Sequence, residues 1–398
     1  MIFFKHIYRI AKFISKYFYS RLLLVVNNKS KVEDFLSKNR NKTLIITHNL
    51  GGGTDRYINN ILRDNSNVVI LSNYSYLGRD FLYKLFDFDK KACVYIQDFN
   101  SSLTYLNPSK IIINSLVSFY SYNKIINVIL SYKHKNDIDI TYMVHDYHCV
   151  CPNYNLVADD KYCELQCSKY NCFSNEIEEI YNYYHIKNID NWRRIWEVLF
   201  ENASEIRCFS NSSREIIRSV YKNVNGKIIS VIPHDMSYFK TSTVDVSLFP
   251  FKVGVFGNCM DSVAKGRFIV KKFLKYSVKN NISVVLVGNV KIRDKIWSKK
   301  IKYIGRYTVD NLRSIVINNK ISVVLFPSIC PETFSYLVSE LMMLGVPVLC
   351  FNYGAQAEKI KQYEKGKISL NENNMEILYH DLLSLYNEHS KNKNNDIL

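Results

Sequence analysis

A chain of 398 residues exceeds what one hydrophobic core serves well, and its 47% hydrophobic and 14% aromatic content is enough to build two cores. That content excludes a disordered chain. Lys and Arg outnumber Asp and Glu by 53 to 36, and the resulting net charge of +17 favours an anionic partner. No motif with groove-entering geometry accompanies the charge, so nucleic acid gives way to a phosphorylated small molecule or an acidic membrane surface.

The first 26 residues are apolar and aromatic but interrupted by Lys5, Arg9, Lys12, Lys16 and Arg21, too many charges for a bilayer span or a signal-peptide core. Phe3, Ile7, Ile10, Ile14 and Phe18 recur at helical spacing, which fits either an interfacial helix or one packed on its own domain. Both place the protein in the cytoplasm, and the interfacial alternative puts it on the inner face of the plasma membrane. From Lys42, KTLIITHNLGGGTDRYINNIL reads as a buried strand, a glycine-rich turn and a helix opening near Thr54. Short apolar runs at 67–72, 93–99, 110–116 and 140–146, then 206–209 and 228–233, alternate with segments of helical period, the mark of a mostly parallel sheet.

Residues 236–250 are polar and lack periodicity, which makes them the expected linker. A second alternating series follows, with β-branched runs at 252–258, 283–289, 302–305, 321–328 and 346–352. The expected architecture is α/β, with two Rossmann-like doubly wound domains facing across a cleft: residues 1–235, with a cysteine-rich insertion at about 147–175, and residues 251–388, ahead of a polar tail at 389–398.

The chemistry concentrates after the run ISVVLFPS, in PETFSYLVSELMMLGVPVLCFNYGAQAEKI. Phe334, Leu337, Val338, Leu341 and Met342 form a core-facing helical stripe. Glu332 sits at the expected helix mouth and Glu340 follows about 12 Å along the axis, a spacing suited to the two ends of a sugar nucleotide. Two glutamates eight apart are a weak signal alone. The whole block, however, resembles the E-x7-E region of family-four glycosyltransferases of the GT-B fold, including the Gly-x-Pro-Val strand and a Gly354-to-Glu358 turn. GVFGNCMDSVAKGRFIVKKFL is similar to that family's first strand and diphosphate loop.

The resemblance implies a retaining, metal-independent hexosyltransferase that uses a nucleoside-diphosphate sugar, with Gly257, Lys265, Glu332, Thr333, Phe334, Ser335 and Glu340 on the donor. It also implies that Gly52 and Gly53 of THNLGGGTDRYI approach the phosphates and that His145, at the end of ITYMVHD, lies near sugar and acceptor, with Asp146 as a companion. His145, Glu332 and Lys265 are the expected catalytic residues. Where the family often carries an arginine soon after the strand glycine, this chain has Asn258, and Arg267 is the candidate substitute. The acceptor implied is a glycan or lipid-linked molecule of surface-polysaccharide or lipopolysaccharide synthesis. An epimerase or phosphorylase on the same fold, or an inactive scaffold, is the alternative.

Cys149, Cys151, Cys163, Cys167 and Cys172 fall within 24 residues. Their spacing admits a structural Zn²⁺ held by Cys151, Cys163, Cys167 and Cys172, and equally admits thiols or disulfides. No cofactor is expected for catalysis. The D-x-D pairs Asp87/Asp89 and Asp137/Asp139 are rejected as metal sites, the first for lying in a helix-like aromatic run and the second for preceding its strand.

Overall fold

The computed structural model describes residues 2–48, 50–64, 67–167, 182–186 and 188–391. The chain divides into two compact units, one of residues 1–154, 172–209 and 214–232, the other of residues 155–171, 210–213 and 233–398.

The first unit contains β1 (Thr43–Ile46), β2 (Val68–Tyr76), β3 (Arg79–Asp87), β4 (Ala92–Ile96), β5 (Lys110–Ile113), β6 (Asp139–Met143), β9 (Glu205–Cys208) and β10 (Ile229–Val231), in the sheet order β10-β9-β6-β5-β1-β2-β3-β4. The minor strands β7 (Val157–Ala158) and β8 (Lys161–Tyr162) pair with each other in the second unit. From β10 to β2 the ladders are parallel, with Leu44 of β1 opposite Val69 and Ile111. Strands covered on both faces read as unbroken apolar runs, which is why β1 was easy to recognise.

The edge is different. Strands β2, β3 and β4 form an antiparallel meander, and β3 was not anticipated. Its Asp87 ends a strand, not a helix, and is fully buried, accepting from the Lys42 ammonium at 3.2 Å. The helix-like reading of that run is thereby corrected, and the first carboxylate of the D-x-D pair is held in an ion pair. Asp139 opens β6 and accepts from the Ser204 hydroxyl at 2.7 Å.

The helix Ile2–Val26 lies on this meander. Phe13 packs on Phe81 with ring centroids 5.4 Å apart, and the Lys16 ammonium donates to the Ser75 carbonyl at 3.2 Å while sitting over Tyr74 and Tyr76.

In the second unit β11 (Val253–Phe256), β12 (Val284–Val287), β13 (Ile301–Ile304), β14 (Val323–Phe326), β15 (Val348–Phe351) and β16 (Gly366–Ser369) form an all-parallel sheet ordered β13-β12-β11-β14-β15-β16. The strand β16 was missed because KIS offers only one apolar residue to a run of lysines and glycines. The order runs outward in both directions from β11 and β14, so the topological switch point, where such sheets bind ligands, lies beyond the carboxyl ends of these two strands.

Residues 236–250 do not hang free as a linker. Phe239, Val244 and Val246 join the second unit's core, and the Val244 N–H bonds to the Leu344 carbonyl at 2.8 Å. Residues 155–171, read from sequence as part of an insertion in the first domain, group with the second unit, where Val157 is buried in the core and Tyr162 packs edge-on to Tyr353. The final helix, Met375–His389, ends at the start of the expected tail.

Because Asp87 is buried and Lys42 only 12% exposed at the side chain, Lys42→Met strands a carboxylate in the core. Urea unfolding should show a loss of about 3–5 kcal/mol, the range for breaking a buried pair, whereas Asp87→Asn paired with Lys42→Met should recover part of it.

Candidate functional site

Two loops emerge at the switch point, 257–266 after β11 and 327–335 after β14. Glycine lets them touch. Gly266 has φ +88, and a Cβ there would meet the Pro327 carbonyl oxygen at 2.1 Å. The Ile329 N–H and the Ser328 hydroxyl bond to the Ala264 carbonyl at 3.0 and 3.2 Å, closing the contact. Gly257, at φ +94, opens the first loop with no atom within 4 Å of where its Cβ would lie.

This juxtaposition brings the Lys265 ammonium to Glu332 Oε1 at 2.6 Å. Glu332 is held from the first turn of the helix Gly354–Ile360, which follows β15. Its carbonyl accepts from the Ala355 N–H at 2.8 Å and its N–H donates to Gln356 Oε1 at 3.1 Å. Gly354, at φ +55, permits the approach, since a Cβ there would come within 2.5 Å of the Glu332 nitrogen. Burial pushes the Glu332 carboxyl up, but the Lys265 charge and hydrogen bond outweigh it and hold the group below the usual carboxylate range.

The helix following Glu332 is Tyr336–Met343, so Glu332 lies in the loop before the helix and not at its mouth. Val338 and Leu341 are buried as the periodicity required. Ser335 precedes the first turn at φ +61, a left-handed conformation unusual for a residue with a side chain. Phe334 is buried, and Thr333 is half-buried. Glu340 is 1% exposed and accepts from the Tyr238 hydroxyl at 2.8 Å, which places the second glutamate beneath a tyrosine that sequence reasoning did not single out.

Lys359 and His234 were also missed. The His234 ring stacks on Phe334 at 4.4 Å and 10°, with Nδ1 bonded to the Tyr336 hydroxyl. The Lys359 ammonium stands 3.3 Å from the centroid of the same ring. It does not fit in the His234–Phe334 gap, so Phe334 lies between ring and ammonium. Lys359 also donates to Ser339 Oγ at 2.5 Å. Burial pushes its pKa down to about 7, partly offset by Glu332 and Glu358. The available signal was a lysine next to Glu358 in a strand–turn–helix with no other charge. Arg267, the expected substitute cation, instead turns over the ring of Phe268 at 4.8 Å, and Asn258 is exposed. Glu358 accepts from the backbone N–H groups of Asn211 and Ser212 at 3.2 and 2.8 Å, satisfying donors of a helix's first turn.

In the first unit Gly51 and Gly52 have φ +82 and +90, and Gly53 begins the helix Gly53–Asp64. No atom lies within 4 Å of where a Gly52 Cβ would sit, so its backbone is open to a ligand. His48, also missed, accepts the Leu50 N–H on Nδ1 at 3.1 Å and thereby shapes this loop. His145 follows β6 and packs against both Tyr57 and Phe209, at 4.7 and 4.5 Å, which themselves meet at 5.2 Å. Burial, aided by the His48 charge, pushes its pKa down to about 3, so it is neutral at physiological pH. Asp146 accepts from the Ser115 hydroxyl at 2.7 Å and the His148 N–H at 2.9 Å, and burial pushes its carboxyl up.

Cys149, Cys151 and Cys163 are buried, and Cys167 is half-buried. Cys172 lies outside the described residues. Among the described residues no group of three or more His, Cys, Asp or Glu is placed to hold a metal ion.

Residues 264–396 match the model of the family described as glycosyl transferases group 1. Among solved structures, HepE of Anabaena in complex with UDP is similar at TM-score 0.54 and 15% identity, over 86% of this chain and 89% of that one. Sucrose-phosphate synthase from Thermosynechococcus elongatus is similar at TM-score 0.55 and 12% identity, over 88% and 90%. The lipopolysaccharide outer core galactosyltransferase WaaB, in its apo form, is similar at 0.50 and 13%, over 88% and 91%. No curated protein matches the sequence. The fold is therefore GT-B, with two Rossmann-like units, and residues 264–396 are similar in sequence to the group 1 glycosyl transferases.

Lys359 generates a stability test. Between pH 7 and the usual lysine value of 10.5 the folded chain binds fewer protons than the unfolded one, so stability should rise with pH across that window. Urea midpoints measured against pH should show this rise in the native protein and a flatter curve in Lys359→Met.

Proposed function

We propose that the protein is a retaining glycosyltransferase that moves a sugar from a nucleoside-diphosphate sugar to a glycan or lipid-linked acceptor of cell-surface polysaccharide synthesis. The observation that carries the reading is the Lys265–Glu332 pair at the switch point of a sheet whose sequence matches a group 1 transferase domain. HepE, which shares the fold, is a protein solved with UDP and with UDP-glucose.

In this reading the donor's diphosphate takes the Lys265 ammonium, and Glu332, released from it, accepts hydrogen bonds from the sugar hydroxyls. Lys359 supplies the second positive charge that Asn258 lacks. Thr333, Phe334 and Ser335 line the donor, Glu340 serves the ribose once Tyr238 yields it, and Gly52 and Gly53 offer open backbone to phosphate and sugar. The C1–O bond to the diphosphate breaks, the acceptor oxygen bonds to C1 on the same face, and its proton passes to a departing diphosphate oxygen. Neutral His145 donates or accepts a hydrogen bond at the sugar rather than carrying charge. The lysines neutralise the leaving group in place of a divalent metal, because Asp87 is committed to Lys42 and Asp139 lies at the opposite end of its strand from the ligand edge.

The proposed site of action is the cytoplasmic face of the plasma membrane, supported by a basic N-terminal helix with exposed apolar residues. Incubation with UDP-, GDP- and TDP-sugars and membrane extract should yield a glycosylated product. Glu332→Gln and Lys265→Ala should each slow transfer by about 10²–10³, as expected for losing one preorganised electrostatic contact. Near-native rates in both variants, or phosphate-dependent cleavage or epimerised donor in place of transfer, contradict the reading.

A further inference from the structure

The helix Ile2–Val26 docks through one face and leaves the opposite face uncovered. Phe13, Lys16 and Ser20 point to the β2–β3 meander, and Asn27, just past the helix, accepts the Tyr95 N–H on its side chain at 3.4 Å. On the other side Ile10, Ile14, Phe18, Leu22 and Val25 are 53, 48, 67, 58 and 77% exposed. Their spacing of four, four, four and three residues keeps them on one stripe about 20 Å long. Isolated exposed apolar residues need no explanation, but a continuous stripe on a helix already anchored by its other face does.

The charges say what covers it. Residues 1–32 contain seven Lys and Arg and no Asp or Glu; Arg21 lies beside the stripe, Lys12 stands over the Tyr76 ring and Arg9 lines the cavity described next. A second copy seated stripe to stripe would bring these like charges together. An anionic surface attracts a segment of uniformly positive charge instead.

Next to the stripe is a cavity of about 260 Å³ lined by Arg9, Ile10, Phe13, Leu77 and Tyr183, open on one side. Its wall is apolar, with a guanidinium and a phenol as the polar groups. Ile10 belongs to both cavity wall and stripe, so the two surfaces are continuous.

We propose that the stripe Ile10, Ile14, Phe18, Leu22 and Val25 inserts into the headgroup–acyl boundary of an anionic phospholipid bilayer, and that the adjoining cavity takes one phospholipid, its phosphate on Arg9 and its acyl chain along Phe13 and Leu77. The helix lies in the membrane plane, with the meander beneath it as a rigid base. This deepens the membrane location given above and rests on it, but is independent of the donor reading.

The full chain is mixed with sedimenting vesicles of phosphatidylcholine with or without phosphatidylglycerol, and UDP binding is followed separately by calorimetry. Binding to the anionic vesicles should fall at least about tenfold in Ile14→Asp/Phe18→Asp and weaken with salt, with melting temperature and UDP binding unchanged. A Phe18→Trp variant should be quenched by brominated lipids, and Arg9→Glu should lessen the preference for phosphatidylglycerol. Vesicle binding that is absent in the native chain or unaltered in the double variant overturns the proposal. So does a dimer that the double variant turns into a monomer. Loss of UDP binding in the native chain with vesicle binding intact would count against the donor site alone.

Discussion

Gly266 and Pro327 approach so closely that no side chain fits between them, and the arrangement of the second unit's site follows from that contact. The switch point separates two strands that are neighbours in the sheet but far apart in sequence. Only a residue without a Cβ lets the loop before the helix Arg267–Lys279 settle onto the carbonyl after β14. Once it does, Lys265 has little choice but to meet Glu332, and the helix after β15 closes over the glutamate through Gly354 and Gln356. In the proposed reading the pair is a charge stored where an anion is to arrive: a diphosphate would compete for Lys265, and displacing Glu332 would free a carboxylate for hydroxyl groups.

Around that pair the aromatic stack sets the loop's shape. Phe334 is fixed by His234 on one face and the Lys359 ammonium on the other, which holds Ser335 in a left-handed conformation it would not choose unaided. The first unit presents a contrasting environment. His145, clustered with two aromatic rings, is kept neutral by burial, whereas His48 and Asp146 near it act on the glycine loop and the turn after β6.

The repeating alternation of apolar runs and helices made both sheets legible, as did the block containing Glu332 and Glu340, because parallel strands buried on both sides carry a continuous hydrophobic signal. Strand β3 was lost because an antiparallel edge strand such as RDFLYKLFD mixes charge and aromatics and resembles an amphipathic helix. Residues 236–250 looked like a linker since their three core residues, Phe239, Val244 and Val246, lack a period. Glu340's partner Tyr238 and the Phe334 clamp from Lys359 join residues from different parts of the chain, contacts that no local pattern encodes. Gly266 was visible only as a helix-start residue; that it faces Pro327 required the fold.

The central claim is that the Lys265–Glu332 pair is a binding site for a nucleoside diphosphate. Calorimetric titration of UDP into the native chain and into Lys265→Met tests it most directly. The account predicts saturable binding that weakens at least about tenfold in the variant, in keeping with loss of a charge-assisted contact, with both proteins shown to be folded at the titration temperature. Equal affinity in the two proteins would contradict it.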